Sequence, residues 1–296
     1  MGPSAEAGKG APEVRQRRRR RGSAPARRQL PEEPRQGRDF EPDLAWLLAV
    51  IEPYSLPMEA RAPARLRAFA QELLARSDRL NLLSHADAPQ VIRKHVAASL
   101  GVFLVAHPSE GEEWIDVGTG AGFPGLVLKI AEPGLRITLL DSARKRCLFL
   151  ESVVRRLDLG RVPVMPLRAE NLVARGEDVG RFAVLTARAV TSLVETVRGF
   201  GPLVAPGGRI VTFKGPGWPE EIKTLEAAGL MGRGGVSLDS ITRIPWVAGH
   251  IVTLRKSLCP TAAAGASPAA PAAVRGDLGY GAQALAPTAL HSRNRP

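Results

Sequence analysis

The stretch Trp114-Ile-Asp-Val-Gly118-Thr-Gly120-Ala-Gly122-Phe-Pro-Gly125 decides the fold. It opens as a short apolar run, breaks into closely spaced glycines and ends where a helix can begin, since Pro124 loses nothing in a first helical turn, where an N–H would be unpaired anyway. Gly118 and Gly120 allow positive φ and let backbone approach a ligand, while the free N–H groups of a helix start favour an anionic group. A glycine turn by itself says little. One that follows a strand and opens a helix has the context a nucleotide-type ligand requires.

Reading outward, the run Ile137–Leu140 ends in Asp141, an acid about 20 residues past the turn at the neighbouring strand tip, where a carboxylate can accept both hydroxyls of a ribose. From Glu113 onward, short β-rich runs alternate with helical stretches: Trp114–Val117, Ile137–Leu140, Val162–Leu167, Phe182–Thr186 and Arg209–Phe213. Such alternation implies βαβ units. The expected fold is α/β, a Rossmann-like sheet with helices on both faces, and His250–Leu254 is expected as an edge strand closing it. Upstream, Leu44, Leu47, Leu48 and Ile51, then Leu66, Phe69, Leu73 and Leu74, recur at helical spacing with Pro53 and Pro57 as punctuation. The expected organisation is a disordered basic tail (1–38), a small helical N-terminal subdomain (41–105), a cofactor-binding domain (112–258) and a flexible Ala/Pro-rich tail (259–296).

The 296 residues, 44% of them hydrophobic, suffice for one large domain or two small ones. Residues 1–38 hold eleven Lys and Arg against four Glu, more than half of the net charge of +12, so the folded part is only mildly basic. That arm reads either as a solvated tail or as a sequence-independent RNA arm. Cys147 and Cys259 form no CxxC pair and the five histidines no HExxH, so no metal is expected. No run approaches the ~18 apolar residues of a membrane span. No apolar segment follows the N-terminal arginines as a signal sequence would require, so no membrane association and a cytoplasmic location are expected.

Asp116 discriminates between cofactors. A dinucleotide sets its pyrophosphate on the glycine turn, where a carboxylate would repel it; S-adenosylmethionine sets its amino-acid end there, and a carboxylate can hold the ammonium directly or through water. The third strand leads to Arg168-Ala169-Glu170-Asn171, where a backbone N–H and a side-chain acceptor can meet an adenine; Glu170 alone equally suits a helix N-terminus. Arg144-Lys145-Arg146 read as a solvated first turn or as phosphate contacts, and Lys214 as facing the target nucleotide or water. After the fourth strand, Leu185-Thr-Ala-Arg188-Ala189 contains neither the Asp/Asn-Pro-Pro-aromatic tetrapeptide common in amino-nitrogen methylation nor the cysteine of C5 methylation. A nucleophile with an in-plane lone pair and no proton to lose, such as guanine N7, needs only orientation and desolvation.

The ordered set DVGTGAGFPG (116–125), LLDSARKRCLFL (139–150), RAEN (168–171), TARAV (186–190) and FKG (213–215) resembles the RsmG/GidB family of bacterial small-subunit rRNA methyltransferases. The resemblance spans about residues 42–256. It implies a class I methyltransferase sheet and transfer of a methyl group from S-adenosyl-L-methionine to N7 of a guanine in the 530 loop of 16S rRNA, with 16S rRNA or the 30S subunit as partner. It implies cofactor contacts at Gly118, Phe123, Asp141, Ala169, Glu170 and Arg188. The glycine turn adds Gly120, and Arg188 is the candidate catalytic residue through orientation alone. The family usually has Trp-Asn at Ser77-Asp78, Asn-Leu-Thr at Asn81-Leu82-Leu83, Asp at Ala98 and Phe-Asp at Phe182-Ala183, so the cofactor half is intact and the N-terminal half has drifted. The alternatives are a methyltransferase of another RNA or a small molecule, a nicotinamide-dependent oxidoreductase, against which Asp116 argues, and a non-catalytic RNA-binding protein.

Overall fold

The computed structural model describes residue 2 and residues 38–189 and 191–258; apart from residues 2 and 38, the expectations for both tails lie outside the described residues. Seven strands form one sheet in the order β3-β2-β1-β4-β5-β7-β6, namely β1 (Glu113–Val117), β2 (Arg136–Leu140), β3 (Val164–Met165), β4 (Phe182–Arg188), β5 (Val204–Lys214), β6 (Val236–Arg243) and β7 (His250–Lys256). β1 to β5 pair in parallel, and β7 runs antiparallel between β5 and β6. The chain steps from β1 out to β3 and then returns to β4 on the other side of β1. Their carboxyl ends therefore flank a topological switch point, where open α/β sheets bind ligands.

The sheet departs from expectation in three places. β3 has only two residues, because Pro163 and Pro166 flank it and neither can donate to a ladder. β5 begins five residues early, and its pairing with β4 shifts register between Phe182 and Val184, near Gly207 at φ 77°. A Pro-Gly-Gly run reads as a turn in sequence but lies inside this irregular strand. The expected edge strand at His250–Leu254 is an inner strand, and the true edge is β6, whose Ser-Leu-Asp segment is exposed and therefore lacked apolar alternation.

Helices α4 (Gly125–Ala131), α5 (Arg144–Arg156), α6 (Ala169–Arg175), α7 (Leu193–Phe200) and α8 (Trp218–Ala227) connect the strands. Ahead of them lie α1 (Glu41–Ile51), α2 (Ala62–Leu80), a π-helical turn at Val91–Val96, and α3 (Ala97–Leu100). α2 buries Leu66, Phe69 and Leu73 completely, each worth about 1.5–3 kcal/mol relative to exposure. These side chains belong to the same core as Trp114, Leu126, Phe149 and Ile251, so the N-terminal helices are continuous with one covered face of the sheet. The opposite face packs Ile115, Leu185, Phe200 and Leu225 into a second core. The site thus sits at the open strand ends between two packed layers.

Candidate active site

Gly118, Gly120 and Gly122 all have positive φ, at 68°, 58° and 104°, so the turn takes the conformation its glycines permit. Pro124, after a cis Phe123–Pro124 bond, is the N-cap of α4, one residue before the first helical position. Gly118 and Thr119 donate their backbone N–H groups to the Leu140 carbonyl at 2.8 and 3.0 Å, which fastens the turn to the tip of β2. Asp141 completes the fastening: its Oδ2 accepts the Gly120 N–H and its Oδ1 the Ala143 N–H, at 2.9 and 2.8 Å. Each carboxylate oxygen has two lone pairs, so both keep one for further hydroxyls. Arg146 brings Nη1 to 3.5 Å from Asp141 Oδ2, whereas Arg144 and Lys145 are exposed. The basic triplet is therefore divided between the site and solvent.

A cleft of about 230 Å³ opens here, lined by Gly118, Asp141, Ala169, Glu170, Thr191 and Phe200 among others. Four of the sequence-identified residues thus converge across β1, β2 and the start of α6. Glu170 both lines this cleft and stands in the first turn of α6, so its two readings coincide. A larger cavity of about 420 Å³ lies at the opposite strand ends, around Arg136 and Arg161, away from the glycine turn.

Phe123 and Arg188 belong to a second cluster outside this cleft. The Phe123 ring is edge-on to Phe69 at 5.6 Å and tilted against His95 at 5.2 Å, so it locks the glycine turn to the N-terminal helices. Arg188, the last residue of β4, donates from Nη1 to the His95 carbonyl at 3.3 Å and from Nη2 to His95 Nδ1 at 3.1 Å. Its guanidinium lies 6.0 Å from the Phe123 ring centroid and 5.5 Å from that of Phe213. Ala189 follows at φ 53°, a conformation uncommon for a residue other than glycine.

Asp116 lies at the end of β1, beneath the turn. It is fully buried; Oδ1 accepts from Thr186 Oγ1 at 2.7 Å and Oδ2 from the Gly125 N–H at 2.9 Å. The acid holds the start of α4 against β4 beneath the turn, and burial pushes its pKa up to about 6. Lys214 is tied into the protein itself. Its Nζ donates to the Thr191 carbonyl at 3.0 Å and pairs with Glu221 at 2.7 Å, and the same Glu221 oxygen accepts the Leu193 N–H at 2.9 Å. This latch fixes the segment joining β4 to α7, which carries Thr191 into the cleft. Sequence reasoning assigned no role to His95, Thr186 or Glu221. Thr186 lay inside a family-like motif, but its partner is 70 residues away, and His95 is 93 residues from Arg188, pairings no local pattern encodes.

A doubly wound sheet with a fastened glycine turn after β1 and a β7 that runs antiparallel between β5 and β6 is a Rossmann-like class I methyltransferase fold, the class that uses S-adenosylmethionine. The family described as GidB, rRNA small subunit methyltransferase G, matches residues 63–237. A relative from Carboxydothermus hydrogenoformans, Ribosomal RNA small subunit methyltransferase G, is 39% identical over 175 residues, covering 59% of this chain and 74% of its own. One of the same name from Sorangium cellulosum is 37% identical over 201 residues, covering 68% and 82%. The chain belongs to the GidB family of small-subunit rRNA methyltransferases.

Proposed function

We propose that this chain methylates N7 of a guanine in the 530 loop of 16S rRNA, with S-adenosylmethionine as methyl donor and the 30S subunit or its rRNA as substrate. The observation that carries this reading is the cleft at the switch point, where Asp141, Gly118 and Ala169 stand together beside a β4 tip ending in Arg188. Asp141 would hold the ribose and the start of α6 the adenine; the bound cofactor supplies an electrophilic sulfonium methyl. The protein's own residues supply orientation. The glycine turn holds its shape through Leu140 and Asp141, and Arg188 brings a cation to the β4 tip.

No general base is required, because N7 of guanine presents an in-plane lone pair and no hydrogen. The β4 tip agrees: it carries no carboxylate, amide or cysteine, and Cys147 is buried in α5 with Sγ against the Asp141 carbonyl at 3.4 Å. Among the described residues no helix is long and apolar enough to cross a membrane, and no group of three or more His, Cys, Asp or Glu is arranged to hold a metal. We place the protein in the cytoplasm, with the ribosomal subunits.

The test incubates the full chain with labelled S-adenosylmethionine and 30S subunits lacking the modification, then treats the rRNA with borohydride and aniline, which cleave at 7-methylguanine. Label together with cleavage in the 530 loop is expected. Label without cleavage would place the methyl on another atom, and no label in any rRNA would move the assignment to another substrate.

A further inference from the structure

Arg188 is an arginine without a carboxylate. Among the described residues no Asp or Glu oxygen lies within ion-pair distance of its guanidinium, although Asp116 and Asp87 act on it through space. Its hydrogen-bond partners are both on His95, the ring Nδ1 and the carbonyl, and two aromatic rings flank it. A guanidinium can only donate, so Nδ1 must accept, and the imidazole proton resides on Nε2. Nε2 points towards Asp87 Oδ1 at 3.6 Å, beyond hydrogen-bond reach. Burial, then the neighbouring Arg188 charge, lowers the His95 pKa to about 4 against the pull of Asp87, which keeps the ring neutral.

His95 is itself well fixed. It sits in the π-helical turn Val91–Val96, packs against Phe123, and its carbonyl also accepts from Ser99 Oγ at 2.7 Å. π-helical turns are rare, and their altered backbone often serves a site. Here the turn presents a side chain and a carbonyl of one residue to the same guanidinium.

We propose that His95 is the positioning residue of Arg188: with a neutral imidazole and its own carbonyl it fixes the guanidinium in one direction, leaving the remaining N–H groups free for an anionic group of cofactor or substrate. The N-terminal helices thereby become part of the active site. Holding the flexible arginine side chain in advance removes its rotamer-entropy cost from the reaction step. This inference rests on the methyltransferase reading of the same site.

The experiment is a double-mutant cycle in the full chain, read as kcat/KM for S-adenosylmethionine with 30S acceptor and, independently of RNA, as calorimetric affinity for S-adenosylmethionine. His95→Leu removes the acceptor. His95→Asn keeps one, with the amide oxygen near the place of Nδ1. We expect His95→Leu to lower kcat/KM by about 10- to 100-fold, less than the roughly 10²–10³-fold cost of losing a positioned electrostatic group outright because Arg188 itself remains, and His95→Asn by no more than about 3-fold. In an Arg188→Met background, His95→Leu should have no further effect, the non-additivity of residues that act as one unit. Equal losses in the Leu and Asn variants, or a Leu effect that adds in full to Arg188→Met, would overturn the proposal. Should the wild type leave every rRNA unmethylated, the substrate assignment falls alone, and the cycle is decided by cofactor affinity.

Discussion

Asp141 shows how one side chain can build a site and serve in it. Each oxygen already accepts a backbone N–H, from Gly120 and from Ala143, so the ligand meets a carboxylate whose direction is set before binding. Replacing it with alanine removes the tie on the glycine turn and, on the proposed reading, the acceptor for the cofactor's hydroxyls, so S-adenosylmethionine affinity should fall by about 1.5–3 kcal/mol, the range for hydrogen bonds to a charged group. The asparagine variant should do no better, because its NH2 would meet one of the two backbone donors. Calorimetry on folded variants measures this. An Asp141→Asn variant that binds as the wild type does would show that the carboxylate is not the ribose acceptor.

The glycine turn works only because α4 can approach β1 and β2. A Cβ on Gly125 would lie 2.5 Å from Leu139 Cδ2, 2.7 Å from Asp116 Cβ and 2.8 Å from Asp116 Oδ2. Gly125→Ala must push α4 off the sheet and stretch the Gly125 N–H to Asp116 bond. Overpacking of this kind costs about 1–3 kcal/mol, which urea unfolding should show together with weaker cofactor binding. Unchanged stability would mean that α4 docks more loosely than its contacts indicate. This element also marks what the sequence made legible. The glycines, Pro124 and Asp141 are local signals, and the strand-turn-helix unit with an acid at the neighbouring strand tip followed from spacing. The burial of Asp116 was not legible, because it is a property of the assembled sheet: its partners, Thr186 and the Gly125 N–H, belong to a neighbouring strand and to the helix it fastens. β6 was missed because Ser237, Leu238 and Asp239 are exposed in succession, so both faces of the strand meet water there and no apolar alternation is left to read.

Across the whole molecule, two ionisable groups have titrations that oppose each other: the partly buried His95 of the N-terminal helices and the fully buried Asp116 of the sheet. His95 has its pKa lowered from 6.5 to about 4, chiefly by burial. Between those values the unfolded chain binds the proton and the folded chain does not, so the stability His95 contributes is complete above about pH 6.5 and is lost as pH falls towards 4. Asp116 has its pKa raised from 3.8 to about 6, again chiefly by burial. Here the folded chain binds the proton first, so its contribution is complete below about pH 3.8 and is lost as pH rises through 6. Each shift corresponds to about 3 kcal/mol at full extent, and over the shared window the two nearly cancel. Removing one titration should expose the other. In His95→Asn, unfolding free energy relative to the wild type should move in the variant's favour by up to about 3 kcal/mol between pH 7 and pH 4. Asp116→Asn should show the reverse slope relative to the wild type. Urea unfolding of the three proteins at matched pH values gives these differences directly, free of the carboxylates they share. If the His95→Asn difference is the same at pH 7 and pH 4, the imidazole titrates as it would in water, and the seam where Arg188 meets the N-terminal helices is open to solvent.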